Sequence, residues 1–400
     1  MKASIKTFPC GDGDCIFMKL EDAENNESYN IMIDCGVLTN DIVDYITNKL
    51  NKRIDLLIAT HIDSDHIDGI TVMLNDKRLL NLQIHKIIYN CYQGYFPKER
   101  QPQTKTISEK MNLIIDIVGE NEGTNIGVKG SVSLGAAISK NAGLERIWND
   151  VAITEETEPM YLGKKWGTIH FLAPTNTALD KLYRKLRQEY ASVTGCKIPD
   201  VPYENWETMI ELLTKLEGCR NRPFYGRKIG SVGGIDEGSL LDAKNEECQE
   251  GSLSEANKAS LAFVWECNEH RVLFMGDALC STVVKNLTKH YGDGKHLFDA
   301  IKIAHHGSKY NTSSDFCDIV DSHTYFLTGG SESVGHDVEC LSKLLIRRNA
   351  DSFHRQLRYN INTNILKDLK SDVAKEVRGK YNFDLVDDTD INIPQYEFEY

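Results

Sequence analysis

The sequence has no long apolar run. No stretch approaches the roughly 18 apolar residues that a membrane-spanning helix needs. Lysines stand at Lys2 and Lys6, but no apolar segment follows them, and this is not typical of a signal peptide. We therefore expect no membrane association and predict a cytoplasmic protein.

The cysteines do not form the pattern of a disulfide scaffold. There are 11 of them scattered over 400 residues, their number is odd, and no two are arranged as a CxxC pair. A chain of this length can bury a large core without disulfides. We therefore predict reduced, mostly buried thiols.

The sequence has fewer basic than acidic residues. Lysine and arginine total 46 against 59 acidic residues, which gives a net charge of −13. Non-specific affinity for DNA comes largely from cations that face phosphates, so the composition opposes a broad nucleic-acid footprint. A local basic groove and a small phosphoester substrate both remain open.

Four potential metal ligands stand close together after an apolar segment. Residues 55–60 are predicted to form a short buried strand, and His61, Asp63, Asp65 and His66 follow within six residues. Packing seldom explains four such side chains at a strand end. Imidazole and carboxylate together suit Zn²⁺, Mn²⁺ or Fe, so the pattern predicts a site for one or two divalent metal ions, Zn or Mn.

Other candidate residues stand at the ends of later predicted strands. Asp277 ends an apolar segment, where a carboxylate can bridge two cations. The tandem His305 and His306 also end a strand and precede Gly and Ser, which favours a site over packing. Asp14 and Asp34 could orient a metal-bound histidine, or could simply form turns.

The run from Thr60 to His66 resembles the HxHxDH signature of the metallo-β-lactamase superfamily, with Asp63 in place of the second histidine. This form, followed by Ile67-Asp68-Gly69, resembles the hydrolase domain of competence-type DNA-uptake channel proteins and their free-standing relatives. Further segments match in order over roughly residues 3–345. They are GDGDCI at 11–16, IDCG at 33–36, NKASL at 257–261, LFMGD at 273–277, IAHHGS at 303–308 and GH at 335–336.

The resemblance implies an α/β fold, the αββα sandwich of the metallo-β-lactamases. The hydrolase domain would span 1–345 and contain a mainly helical insertion at roughly 175–256. A charged C-terminal extension would follow at 346–400.

The resemblance also implies ligand roles. His61 and Asp63 would bind the first metal ion, and Asp65 and His66 the second. Asp277 would bridge the two ions.

The late histidines leave two assignments open. In one, His336 completes the ligand set of the second ion, while His305 and His306 contact the substrate phosphate or supply a proton. In the reverse assignment, one of the tandem pair binds metal. A further histidine ligand that the superfamily often has is absent, and Asn257 stands in that region.

These features together predict a metal-dependent hydrolase that uses a metal-activated water, with Asp65 holding metal and water in place. A phosphodiesterase or nuclease is the favoured activity. Its substrate would be a phosphoester, and nucleic acid is one candidate for that substrate. One alternative is a small phosphoester or acyl hydrolase of the same fold. Another is a non-enzymatic interaction or sensor protein in a multi-protein system, such as a defence system, with a protein partner at the insertion or the C-terminal extension.

Overall fold

The computed structural model describes residues 1–90, 133–139, 141–149, 151–194, 211–214, 235–330, 336–347, 353–389 and 396–400. Gly335 of the late GH element lies outside the described residues.

The described strands form two large sheets and a small two-stranded one. In chain order they are β1 Lys2–Thr7, β2 Ile16–Asp22, β3 Glu27–Ile33, β4 Arg53–Ile54, β5 Leu56–Ala59, β6 Gln83–Ile84, β7 Ile87–Tyr89, β8 Met160–Gly163, β9 Gly167–Ala173, β10 Ala262–Cys267, β11 His270–Phe274, β12 His296–Lys302, β13 Val320–Leu327, β14 Arg355–Tyr359, β15 Phe383–Asp387 and β16 Tyr396–Glu399.

Helices connect the strands, and short 3₁₀ turns lie at Lys77–Leu79, Glu250–Ser252, Ala304–Gly307 and Lys309–Asn311. None of the helices in the described ranges has the length and apolar character needed to cross a bilayer. The α-helices are α1 Asn40–Asn48, α2 Ser64–Asn75, α3 Leu134–Ser139, α4 Ala142–Glu145, α5 Asn176–Thr194, α6 Glu237–Lys244, α7 Glu255–Lys258, α8 Cys280–Tyr291, α9 Ser314–Ile319, α10 Val338–Leu345, α11 Asn364–Leu369 and α12 Asp372–Lys380.

The two large sheets each combine antiparallel and parallel pairs. The first has the order β16-β1-β2-β3-β5-β7, and the second has the order β15-β14-β13-β12-β11-β10-β9-β8. Strands β3, β5 and β7 are mutually parallel, as are the strands from β11 to β15. Parallel neighbours end at the same sheet edge, so the loops that follow β11 and β12 lie together at one edge of the second sheet. The loop that follows β5, in the first sheet, contacts them, since His61 Nε2 lies 3.8 Å from Asp277 Oδ2.

The sheets pack face to face through the alternating side chains of their strands. On β5, Leu56 and Ile58 point into the core between the sheets, while Leu57 packs on the outer side. On β10, Phe263 and Trp265 face that same central core. This period of two is expected for strands that are covered on both faces.

Helices cover the outer face of each sheet. Helices α1, α2 and α5 contribute to the core outside the first sheet, and α6, α8 and α10 contribute to the core outside the second. The order of layers is therefore helix, sheet, sheet, helix. The α/β class and the αββα sandwich predicted from the sequence are confirmed.

The segment beyond residue 345 contributes strands to both sheets. β14 and β15 extend the second sheet beside β13, and β16 pairs with β1 at the edge of the first. In the insertion, α5, residues 211–214 and α6 are helical. The domain limits drawn from the sequence stay a prediction.

The cysteines in the described ranges are all free, and most are buried. The prediction of reduced, mostly buried thiols therefore holds for these residues. Cys248 is the partly exposed member of this set.

Candidate metal centre

The loop after β5 is held by close backbone contacts. Asp63 is the N-cap residue of α2, which places Asp65 in the first turn of the helix and His66 just behind it. A Cβ added at Gly13 or Gly36 would collide with the backbone carbonyl of Asp65. The glycines of the first-strand loop and of the IDCG turn therefore let these loops approach the ligand-bearing segment.

A first group of donors surrounds one oxygen of Asp277. His61 Nε2 lies 3.8 Å from Asp277 Oδ2 and 3.5 Å from Asp63 Oδ2. His305 Nε2 lies 3.7 Å from the same oxygen of Asp277. Ligand atoms of one metal ion, each about 2.0–2.2 Å from it, lie roughly 3–4 Å apart, so the spacings of His61, Asp63 and Asp277 suit a shared ion. His305 Nε2 differs, because the side-chain amide of Asn257 contacts it at 3.2 Å.

A second group surrounds the other oxygen of Asp277 and the carboxylate of Asp65. His66 Nε2 lies 3.6 Å from Asp277 Oδ1 and 3.8 Å from Asp65 Oδ2. His306 Nε2 lies 3.6 Å from Asp65 Oδ2. The two oxygens of Asp277 thus face different groups, which is the placement of a carboxylate that bridges two cations.

Each of the four histidines is held through its Nδ1 atom. His66 Nδ1 lies 2.8 Å from Asp34 Oδ2, and His61 Nδ1 lies 3.1 Å from Thr60 Oγ1. The hydroxyl of Thr60 donates to Asp34, so its oxygen is free to accept the Nδ1 proton of His61.

His305 and His306 are also held through their Nδ1 atoms. His305 Nδ1 lies 2.8 Å from Asn311 Oδ1, and His306 Nδ1 lies 3.1 Å from the carbonyl of Thr328. A proton held at Nδ1 leaves the Nε2 lone pair facing the carboxylates. This is the arrangement that metal-binding histidines usually show.

Several buried atoms of the centre have no hydrogen-bond partner in the described part of the chain. They are Nε2 of His61, His66 and His306, and Oδ1 of Asp277. A buried polar atom without a partner costs about 1–3 kcal/mol, so four beside one another are unfavourable unless something binds them. A divalent ion fits these donors, since imidazole nitrogen and carboxylate oxygen suit Zn²⁺ and Mn²⁺.

The backbone at the tandem histidines is strained. His305 has φ 47° and His306 has φ 52°, so two consecutive non-glycine residues adopt the left-handed conformation. Such residues are uncommon and cost of order 1–3 kcal/mol each. Gly307 and Gly329 make room for the turn, since a Cβ at Gly329 would collide with the ring of His306. In this backbone conformation the imidazole of His305 faces Asp277 and that of His306 faces Asp65.

Charges in the centre shift the pKa values of its side chains. Burial opposes a charge on His66, but Asp277, Asp34 and Asp65 outweigh it and raise the pKa of the imidazole well above its usual value. Burial likewise opposes a charge on His306, yet Asp14 and Asp65 raise its pKa to about 10. The carboxylates thus attract positive charge, and a metal ion would displace the bound protons.

A buried ion pair between Asp14 and Lys302 lies beside the turn that carries His305 and His306. Asp14 Oδ2 contacts Lys302 Nζ, and Asp14 Oδ1 lies 3.3 Å from His306 Nδ1. Burial disfavours the charged form of Asp14, but Lys302 and His306 hold the pKa of this carboxyl far below its usual value. Asp14 therefore orients His306, one of the two roles that the sequence left open.

The structure brings most of the sequence-predicted residues into one centre. His61, Asp63, Asp65, His66 and Asp277 come together as expected, with His306 beside Asp65. Asn257 occupies the place of the absent histidine, and its Nδ2 lies 3.2 Å from His305 Nε2.

His336 lies apart from these donor groups. Its Nδ1 is 2.7 Å from the backbone carbonyl of His306, and its Nε2 is buried without a partner among the described residues. It does not belong to the described groups whose donor atoms all lie within 4.8 Å of one another. The expectation that His336 is a metal ligand stays a prediction, and the geometry favours His306.

Sequence reasoning missed three residues that hold the centre: Thr60, Lys302 and Asn311. Lys302 offers a signal, because it is a charged residue in the otherwise apolar end of β12. Thr60 and Asn311 offer none, since single polar residues in loops are common. Only the fold brings them to the histidines.

Asp34→Asn should weaken metal binding about 10- to 100-fold without unfolding the chain, because Asp34 orients His66 through a charged hydrogen bond. Asp34 has φ 56°, and asparagine tolerates this left-handed conformation well, so the backbone should survive. Competition with a metal chelator measures the affinity, and circular dichroism checks the fold. Unchanged affinity in a folded variant would remove Asp34 from the centre.

No protein-family model matches the chain, and no curated protein matches it. Among solved structures, the chain is similar to the metallo-β-lactamase fold protein YhfI from Bacillus subtilis, with 9% identity, a TM-score of 0.36 and full coverage of both chains. It is also similar to CmlA, a diiron β-hydroxylase from Streptomyces venezuelae, with 10% identity and a TM-score of 0.37. That match covers 96% of this chain and 52% of the hydroxylase, so the chain spans about half the length of that protein.

Proposed function

We propose that this chain is a metal-dependent hydrolase that binds one or two divalent ions, Zn²⁺ or Mn²⁺. The observation that carries the proposal is the set of buried, unpartnered donor atoms on His61, His66, His306 and Asp277. Each of these imidazoles is already oriented through Nδ1, and a site built only for packing has no need of that arrangement.

The proposed ligand sets share Asp277. His61, Asp63 and one carboxylate oxygen of Asp277 would hold the first ion. Asp65, His66, His306 and the other oxygen of Asp277 would hold the second. This assignment makes His306, and not His336, a ligand of the second ion. It is therefore the second of the two assignments that the sequence left open.

A divalent ion bound there supplies Lewis-acid activation of a water molecule and of the oxygen under attack. Asp65, whose side chain is 37% exposed, is the most open of the carboxylates and orients the water toward the substrate. His305 holds its Nδ1 proton against Asn311, and its Nε2 takes or returns a proton near Asp277.

The substrate reaches the centre from the side of Asp63 and Asp65. Their side chains are 27% and 37% exposed, whereas those of His61, His66 and Asp277 are almost completely buried. The reacting bond of the substrate would therefore be placed next to the side chains of Asp63 and Asp65, with His305 nearby.

A phosphodiester is the favoured substrate class. Two neighbouring donor sets joined by one carboxylate suit an in-line displacement at phosphorus, because two bound ions would supply stabilisation of both the attacking and the leaving oxygen. The resemblance to the competence-type hydrolase domain makes DNA the first polymer to test. The net charge of −13 favours a second candidate, a small phosphoester, because it opposes binding of a long polyanion.

Metal analysis combined with a substrate screen tests the proposal. We expect the purified chain to hold up to two equivalents of Zn or Mn and to hydrolyse bis-p-nitrophenyl phosphate. Single-stranded DNA, RNA and duplex DNA compared side by side identify any polymer that it cuts.

Asp65→Ala and His66→Ala should each lower the metal content strongly while the fold survives. His85→Ala is a matched control, since His85 is a half-exposed histidine that pairs with Asp55 away from the centre. Unchanged metal content in both variants would move the metal site away from this loop. Bound metal without hydrolysis of any ester would leave the interaction-protein alternative.

A further inference from the structure

A second group of metal-type donors lies away from the proposed centre, on the outer side of the second sheet. Cys248 Sγ, Cys280 Sγ and a carboxylate oxygen of Glu250 all lie within 4.8 Å of one another. Cys248 and Glu250 lie in the segment before α7, and Cys280 is the first residue of α8. The three residues come from two parts of the chain that only the fold brings together.

The carboxylate of Glu250 is fixed in place by α8. Its Oε1 accepts a hydrogen bond from the backbone N–H of Ser281 at 2.8 Å, and its Oε2 accepts one from the Ser281 hydroxyl. Leu279, the N-cap residue of α8, provides no side-chain cap. Glu250 therefore caps the helix from outside and stays beside Cys280, whose Sγ donates to Oε1 at 2.9 Å.

Cys248 is the more accessible of the two thiols. Cys248 is partly exposed, whereas Cys280 is fully buried. A cation that arrives from solvent would therefore meet Cys248 first.

Binding of a divalent cation to this group need not add buried charge. Exchanging the two thiol protons for one divalent cation leaves the net charge of the group unchanged.

We propose that Cys248, Cys280 and Glu250 form a separate binding site for a thiophilic divalent cation of the zinc class. Two thiolates and one carboxylate select softer metals than the nitrogen and oxygen donors of the proposed hydrolytic centre do. The site opens into a cleft of about 780 Å³ that Ser313 and Asp315 help to line, with room for water as a fourth ligand.

The cation would join two segments that border the hydrolytic centre. The 3₁₀ turn Glu250–Ser252 leads into α7, which carries Asn257, and Asn257 contacts His305. Ser313 Oγ, 3.2 Å from Cys280 Sγ, lies two residues after Asn311, which orients the same histidine. The site is therefore expected to stabilise the fold and to leave the hydrolytic donors in place.

Cobalt titration of the full, reduced chain tests the site. A thiolate-to-cobalt charge-transfer band in the near ultraviolet reports sulfur ligands only, so Co²⁺ at the nitrogen and oxygen donors of the hydrolytic centre does not produce it. We expect a band whose full intensity corresponds to one thiolate-bound Co²⁺ per chain and which disappears when Zn²⁺ is added. Failure of this site and failure of the proposed hydrolase are thus distinguishable.

Cys248→Ser and Cys280→Ser should each abolish the band, and Glu250→Gln should weaken Co²⁺ binding at least about 10-fold. Cys267→Ser is the matched control, because Cys267 is a buried cysteine on β10 outside the group. The cobalt charge-transfer band of this variant should be unchanged. A band that survives in both cysteine variants would overturn the proposal, since the sulfur ligands would then lie elsewhere.

Alkylation of the unmodified chain provides a measurement that does not depend on how the variants fold. Zn²⁺ should protect Cys248 from iodoacetamide, with mass spectrometry of the digested chain locating the modified thiols. If reduced protein shows neither the band nor protection, Cys248 and Cys280 are a thiol pair only and the site does not exist.

Discussion

Asp277→Asn should abolish metal binding at both positions and lower turnover of a phosphodiester by roughly 10³-fold or more. The substitution keeps the size of the side chain but removes the charge that the two donor groups share. Oδ2 faces His61 and His305, and Oδ1 faces His66, so this carboxylate contacts both groups. A neutral amide offers one oxygen and cannot bridge two cations.

Elemental analysis and steady-state kinetics on the purified variant measure these losses. Asp55→Asn is the matched control, because Asp55 is equally buried and accepts a hydrogen bond from the backbone of Asn30. The control should lose stability yet keep its metal and its turnover. A folded Asp277→Asn chain with full metal content and full activity would contradict the shared-carboxylate arrangement.

His306→Ala should remove the second ion, whereas His336→Ala should leave the metal content near that of the unmodified chain. His306 Nε2 lies 3.6 Å from Asp65 Oδ2, and its ring is fixed from behind by Thr328 and Asp14. Loss of a direct ligand should cost more than the 10- to 100-fold in affinity that the loss of an orienting group costs. His336 instead supports the turn through the carbonyl of His306.

Metal titration by calorimetry on the two variants, beside turnover of one phosphodiester, separates the assignments. His305→Ala adds a third arm, since it should keep its metal while kcat and kcat/KM fall together by about 10²- to 10⁴-fold. If His336→Ala loses metal and His306→Ala keeps it, the first assignment drawn from the sequence holds. If all three variants keep both metal and activity, the hydrolase proposal fails.

The ligand-bearing loop illustrates what a sequence can predict without a structure. Four donors that directly follow an apolar strand are local in the chain, so their spacing alone indicates that they share one turn. The layered fold was also predicted, because the ordered motifs that resemble the family lie in short segments. The conformation of the tandem histidines was not accessible, since a positive φ at His305 and His306 depends on glycines elsewhere in the fold.

The choice between His306 and His336 also lay beyond the sequence. Both are late histidines near glycines, and resemblance to a family placed a ligand at the second of them. Which imidazole faces Asp65 depends on how the turn after β12 packs against the loop that carries Asp14. That packing joins residues about 300 positions apart in the chain.

The sequence by itself predicted the αββα layers, through ordered motifs that resemble a known family, and a metal-type cluster around His61 to His66, because local donor spacing is a property of contiguous residues. Only the tertiary structure decided which atoms face each other. It paired His66 with Asp34, placed Lys302 under Asp14, and brought Cys248 to Cys280, because each of these contacts joins segments that are distant in the chain. Spacing along a chain does not specify such contacts, whereas the packing of two sheets and their helices does.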